Sequence, residues 1–281
     1  TLKHEYLCAG QKCRNVMGIR AERMTRMATI EIKMLGGFEI RVNGKPVLAQ
    51  LAQSRKATAL VQYLVLRRGE RVSHKVLTDT LWAGERSTNP DMALRAILHR
   101  FRLMIDAEGL DEMKDCIVTS RGYYQWNPHL DCSVDVFEVN DLSELARKES
   151  DAEKRSRIYE QIVNLYDGRL LPQSASEPWV ESVSVRLHGQ YRTAILNLLE
   201  LCKKWGESTR IVTLCTRALE LDPRAIEALA NRAVALSRLK LHDEALADFD
   251  RVLELDSTNS LTYFNRAMLR TQIGDYNRAL E

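Results

Sequence analysis

A chain of 281 residues that is 45% hydrophobic and 28% charged has the length of about two domains and enough apolar side chains to bury their cores, which excludes a disordered tail or a fibre as the whole molecule. The net charge of +3 hides an uneven split, since residues 1–27 hold 6 basic and 2 acidic side chains, residues 28–128 hold 15 and 11, and residues 129–281 hold 20 and 25; a phosphate-binding surface therefore belongs to the first half. There is no apolar run of 18 residues, no secretory core segment and no C-x-x-C pair among the six cysteines, so a reducing, bacterial-type cytoplasm and no membrane partner are expected.

Residues 1–26 show no hydrophobic period, and residues 1–27 read as a disordered extension ahead of a fold that starts at residue 28. His4, Cys8 and Cys13 cluster there, but three ligands with no fourth nearby make a poor structural zinc site. Neither metal nor cofactor is expected. From Ile30 the alternation Ile30, Ile32, Met34 against Glu31, Lys33 has the period of a strand, and Phe38, Ile40, Val42 against Glu39, Arg41 repeats it. Asn43-Gly44 closes this hairpin. Ser54 caps a first helix with Leu60, Val61, Leu64 and Val65 inward, ending with Gly69 as its C′ residue. A short strand over residues 70–72 follows, and Ser73 caps a second helix through Leu77, Leu81 and Trp82. Asn89-Pro90 then supplies an N-cap and an N1 proline for a third helix.

On that third helix Leu94, Ile97, Leu98, Phe101 and Ile105 form one stripe, and about 100° per residue turns Met92, Arg95, Ala96, His99 and Arg102 to the other side. Residues 116–119 and 123–126 read as two strands around Ser120-Arg121-Gly122, a basic hairpin. A helix that offers base-reading side chains, followed at once by such a wing, is how a winged helix grips two grooves of DNA. Arg95, His99 and Arg102, spaced 4 and 3 apart, are the candidates for base edges. Arg100 is assigned to a phosphate or an internal carboxylate, Arg121 with Thr119 and Ser120 to the adjacent minor groove, and His74 and Lys75 to phosphate. Tyr123, Tyr124 and Trp126 read as wing packing rather than as a stacking platform for single strands.

In the second half, Ser150 to Glu153 reads as an S-x-x-E capping box opening a helix with Ile158, Ile162 and Leu165 inward and Gly168 at its end. A long helix from about Pro178 to Trp205 carries Trp179, Val183, Leu187, Tyr191, Ile195, Leu198 and Cys202 on one face. Asn231-Arg232-Ala233 recurs at Asn265-Arg266-Ala267, and RALELD from Arg217 recurs as RVLELD from Arg251, both at an offset of 34. That helical period is the tetratricopeptide one. Ala233 with Ala245, and Ala267 with Ala279, supply the small residues its helix crossings need. Ser257 replaces the proline seen at Pro223, and the last unit is incomplete at Glu281, so further repeats are expected beyond it.

The order of sheet, three helices and wing resembles the OmpR type of winged helix. Asp135, Phe137, Leu165-Tyr166-Asp167-Gly168, Leu170-Leu171, Trp179, Arg186-Leu187, Asp222-Pro223 and Glu227 resemble the bacterial transcriptional activator domain, which follows such a winged helix in the SARP family. Leu35-Gly36, Asn43-Gly44, Leu81-Trp82, Arg100-Phe101-Arg102 and Gly122-Tyr123 fit that family in the first half. The resemblance implies an α+β winged helix over residues 28–128, an activator domain of tetratricopeptide-like helices over 129–224, and tetratricopeptide repeats over 225–281. It also implies an activator that binds promoter DNA and contacts RNA polymerase, with Glu85, Arg86 and Ser87 in the loop ahead of the recognition helix as polymerase-contact candidates. The helical half is assigned to self-association or to protein and effector contacts. The alternative is a tetratricopeptide scaffold whose winged helix binds protein. No P-loop, G-x-S-x-G or H-E-x-x-H occurs, so no enzyme is expected.

Overall fold

The computed structural model describes residues 29–83 and 89–275. The leading extension, the loop with Glu85, Arg86 and Ser87, and Ala279 lie outside the described residues. The chain divides into two compact units, residues 1–34 with 38–134, and residues 35–37 with 135–281.

In the first unit, strands β1 (Ile30–Lys33), β2 (Glu39–Val42) and β3 (Lys45–Val47) pair antiparallel in sequence. Asn43 and Gly44 both adopt positive φ at the β2–β3 turn, as a tight primed turn requires. A strand not expected from sequence, β7 (Cys132–Val134), closes the sheet by pairing parallel to β1. The unit therefore runs to residue 134 instead of stopping near 128.

Helices α1 (Arg55–Leu66), α2 (His74–Leu81) and α3 (Pro90–Ala107) pack on the small sheet formed by β4 (Val72–Ser73), β6 (Tyr123–Trp126) and β5 (Ile117–Ser120). Their starts are set by side chains, because the Ser54, Ser73 and Asn89 oxygens accept from the N–H groups of Ala57, Val76 and Met92. Leu60, Leu64, Leu77, Leu94, Phe101, Ile105 and Met113 form the fully buried core. The end of α1 differs from expectation. Arg67 is the cap and Arg68 itself takes a left-handed φ of 47°, with Gly69 after it at 81°. A Cβ on Gly69 would also meet Pro128 at 2.9 Å.

The second unit stacks α4 (Asp135–Lys148), α5 (Ala152–Leu165), α6 (Pro178–Trp205), α7 (Ser208–Leu221), α8 (Ile226–Arg238), α9 (His242–Leu255) and α10 (Ser260–Gln272). The starts of α7 and α9, and those of α8 and α10, are each displaced by 34 residues (242 − 208 and 260 − 226). The repeat is thus structural as well as verbal. Ala233 and Ala245 are buried at 0% exposure against Phe249, Leu236 and Leu269, where only a methyl lets two helices approach.

The cap of α5 is Asp151, whose carboxylate accepts from the Lys154 N–H at 2.9 Å. Ser150 is not the cap, and the bond also holds the Asp151 carboxyl below its ordinary pKa. Gly168 stands three residues past the helix. Its φ of 131° and a clearance of 3.0 Å from a would-be Cβ to the Gly36 Cα explain why glycine is needed there. Residues Leu35, Gly36 and Gly37 pack with this helical unit. The Leu35 N–H donates to Asp135 Oδ2 at 2.8 Å, the Gly36 N–H donates to the Arg169 carbonyl at 2.9 Å, and Leu35 bridges to Leu170.

Where Ser257 replaces a proline, the chain keeps the same bend. Asp222 and Asp256 have φ/ψ of −139°/95° and −142°/89°. Both make an Asx-turn, Asp222 Oδ1 accepting from the Arg224 N–H at 3.0 Å and Asp256 Oδ1 from the Thr258 N–H at 3.0 Å; proline restricts the first in addition, and the Thr258 hydroxyl adds a 2.7 Å bond to the second.

Candidate nucleic-acid interface

Helix α3 buries Leu94, Leu98, Phe101 and Ile105 at 0–4% exposure, with Ile97 half-buried. That stripe fixes its rotation, so Arg95, Ala96, His99, Arg100 and Arg102 are all exposed and Met92 is 67% exposed. The helix, 18 residues long, shows from Arg95 to Arg102 a cationic face that the unit's own core leaves free.

The wing is tied to this face. Strands β5 and β6 pair from Ile117 with Trp126 to Ser120 with Tyr123, so the turn is the two residues Arg121 and Gly122, at φ 28° and 82°. Arg102 Nη2 donates to Thr119 Oγ1 at 3.0 Å. One guanidinium therefore links helix and hairpin and sets where Thr119, Ser120 and Arg121, all exposed, stand beside the row of Arg95 and His99. Tyr124 and Trp126 are buried at 6% and 4% as wing packing, while Tyr123 remains 47% exposed.

Lys75 is exposed at the start of α2, as a phosphate contact requires. His74 is placed otherwise. Its Nε2 lies 2.6 Å from Asp91 Oδ1 and its Nδ1 lies 3.3 Å from the Tyr124 hydroxyl, so both ring nitrogens are engaged. Its backbone N–H donates to the Gly122 carbonyl at 2.8 Å. His74 joins the starts of α2 and α3 to the wing, an engagement of both ring nitrogens that spacing along the chain cannot reveal. Asp91 and Tyr123 were not singled out for the interface. Asp91, in the first turn of α3, was legible as a dipole-complementing acid, but its partner 17 residues away was not.

Among the described residues, Cys116, Cys132, Cys202 and Cys215 are free thiols. Burial pushes the Cys116 and Cys215 thiols up to about 12 and Cys202 to about 11, and no group able to hold a metal exists among the described residues. No described helix is long and apolar enough to cross a membrane.

Residues 134–259 match the family described as bacterial transcriptional activator domain. The matched span reaches past residue 224 into the 34-residue repeats. A sheet-opened winged helix precedes the matched span. The fold of the whole is similar to that of Mycobacterium tuberculosis EmbR, solved in complex with a low-affinity phosphopeptide. The TM-score is 0.61 at 16% identity, covering 90% of this chain and 70% of that one. The tetratricopeptide domain of Arabidopsis OM64 is similar to the helical part over 49% of this chain and 98% of its own, at 20% identity and a TM-score of 0.32. A Giardia intestinalis UDP-N-acetylglucosamine–peptide N-acetylglucosaminyltransferase is 25% identical over 114 residues, 40% of this chain. The chain spans 8% of that protein's length. The family that the helical half matches is one of regulatory proteins by its description.

Proposed function

We propose that the protein is a sequence-specific DNA-binding transcriptional activator. Helix α3 enters the major groove, where Arg95 and Arg102 suit guanine O6 and N7, His99 suits a single acceptor, and Met92 suits a thymine methyl. Arg121 at the turn of the wing reaches the neighbouring minor groove or its backbone, and Arg100, Thr119 and Lys75 hold phosphates. The observation that carries this reading is the Arg102–Thr119 bond, because it couples a solvent-facing cationic row to a basic hairpin, a coupling that a merely solvated helix face does not need. RNA polymerase is the second partner, with Glu85, Arg86 and Ser87 as its contact candidates, and the helical repeats serve self-association or effector and protein contacts in the cytoplasm.

The test is a titration of the full chain with promoter-derived duplexes at several salt concentrations. Each phosphate neutralised contributes about −0.9 to the slope of log affinity against log salt, so several contacts give a steep line. A flat line, or equal affinity for all duplexes at every salt concentration, would favour a scaffold whose winged helix binds protein.

A further inference from the structure

The helical unit holds a cleft of about 470 Å³ that DNA binding does not use. Its walls are the end of α5 with the loop behind it, the middle of α6, the end of α7 and the first turn of α8. The floor is aromatic. The Tyr166 and Tyr191 rings stack with centroids 4.4 Å apart and planes 19° apart, and the Tyr166 hydroxyl lies 3.4 Å from His188 Nδ1. Buried Ile195 and Leu199 continue that surface as hydrocarbon.

The rim carries three arginines against two carboxylates, Asp222 and Glu227. Arg169, Arg192 and Arg224 line the cleft and are exposed. Glu227 answers Arg192 at 2.5 Å, but no described carboxylate pairs with Arg169 or Arg224. The first turn of α8 borders the same space, and Ala225 at its N-cap gives it no side-chain bond, which leaves amide dipoles that favour an anion. A second observation is independent of charge. Tyr191 is 5% exposed, and its buried hydroxyl has no hydrogen-bond partner. Burial pushes that phenol up to about 12, so it is present as an O–H. A buried donor without an acceptor is costly and rare, and here it belongs to a residue lining an open cleft.

We infer that this cleft binds a small organic anion with a flat apolar body. The body lies along the Tyr166–Tyr191 stack, its anionic group sits between Arg169 and Arg224, and the Tyr191 hydroxyl donates to a polar atom of the ligand. A volume of about 470 Å³ is that of a small-molecule site, which runs from about 300 to 1,000 Å³.

The test is calorimetric titration of the full chain with 1-naphthyl phosphate, alongside inorganic phosphate and 2-naphthol, which each carry half of the proposed chemistry. One naphthyl phosphate per chain is expected, with either half at least about tenfold weaker. The exposed pair Arg169→Glu with Arg224→Glu is expected to weaken binding about tenfold at an unchanged melting temperature. Tyr191→Phe is expected to weaken binding while leaving melting unchanged or raised. No saturable binding, undiminished affinity in the charge-reversed variant, or a Tyr191→Phe variant that binds normally but melts lower would each overturn the assignment. The DNA titration shares no residue with this one, so either reading can fail alone.

Discussion

Arg102 holds two positions at once, on the outward face of a helix and against a hairpin hydroxyl 17 residues further on. Its neighbours divide by what they can meet in a groove. In the proposed DNA complex Arg95 and His99, in the middle of the row, meet base edges, whereas Lys75, at another helix start, meets backbone phosphates. Arg95→Ala and His99→Ala are therefore expected to cost about 1–3 kcal/mol each on the preferred duplex and less on substituted ones, while Lys75→Ala weakens all duplexes alike. Binding to a panel of single base-pair substitutions separates the outcomes, and equal losses across the panel for all three variants would refute the assignment. The exposure of Arg95, His99 and Arg102 was legible from a 100° rotation per residue. The engagement of His74 was not, because its partners Asp91 and Tyr124 stand 17 and 50 residues away and nothing in the local pattern announces them.

At the scale of elements, what the sequence carried well was what is local. Hydroxyl and amide caps at Ser54, Ser73 and Asn89, the apolar stripe of α3 and the 34-residue echo each follow from residues within one or two helices. Strand β7 escaped because three residues have no period, and its pairing with β1 joins positions about a hundred residues apart (Ile30 with Cys132). Helix α4 escaped with it, represented at the sequence level only by the family marks Asp135 and Phe137. The repeat crossings make a packing prediction. Ala245 has 0% exposure and sits against Ala233 and Phe249, so Ala245→Leu forces the two helices apart at a cost of about 1–3 kcal/mol, read as a lower denaturation midpoint. Ala245→Gly is expected to be destabilising by about 1 kcal/mol through helix propensity alone. The charged lattice of the repeats also has a local logic. Arg232 forms two 2.7 Å bonds to the carboxylate of Asp248, which is 7% exposed, and reaches back to Thr216, the position that Asp250 occupies for Arg266 one repeat later.

Across the whole molecule, buried acids dictate how stability responds to pH. The Cys116 thiol in the first unit and the Cys215 thiol and Tyr191 phenol in the second all rise to about 12 because burial penalises their charged forms. The folded chain keeps these protons while the unfolded chain releases them near the ordinary values of 9.0 for a thiol and 10.0 for a phenol. Between those values and about 12 the native state binds more protons than the unfolded one, so stability falls as pH rises. Their contribution is full below pH 9 and is lost by about pH 12. Melting temperature measured from pH 8 upward is expected to decline, and Cys215→Ala is expected to flatten part of that slope. A decline of unchanged steepness in Cys215→Ala would argue against the thiol as its source.

The detour of Leu35, Gly36 and Gly37 changes what a clean dissection of this protein means. A recombinant piece beginning at residue 135 leaves behind the amide that occupies Asp135 Oδ2, the bridge partner of Leu170 and a side chain buried at 0% exposure. Such a piece is expected to melt lower than the same helices within the intact chain, and a synthetic peptide spanning Met34 to Phe38, added in excess, is expected to restore part of the difference. Any chimera that swaps one winged helix for another must carry this short insert's complementarity with it, so the splice point that preserves both partners lies in the middle of a hairpin rather than at a linker.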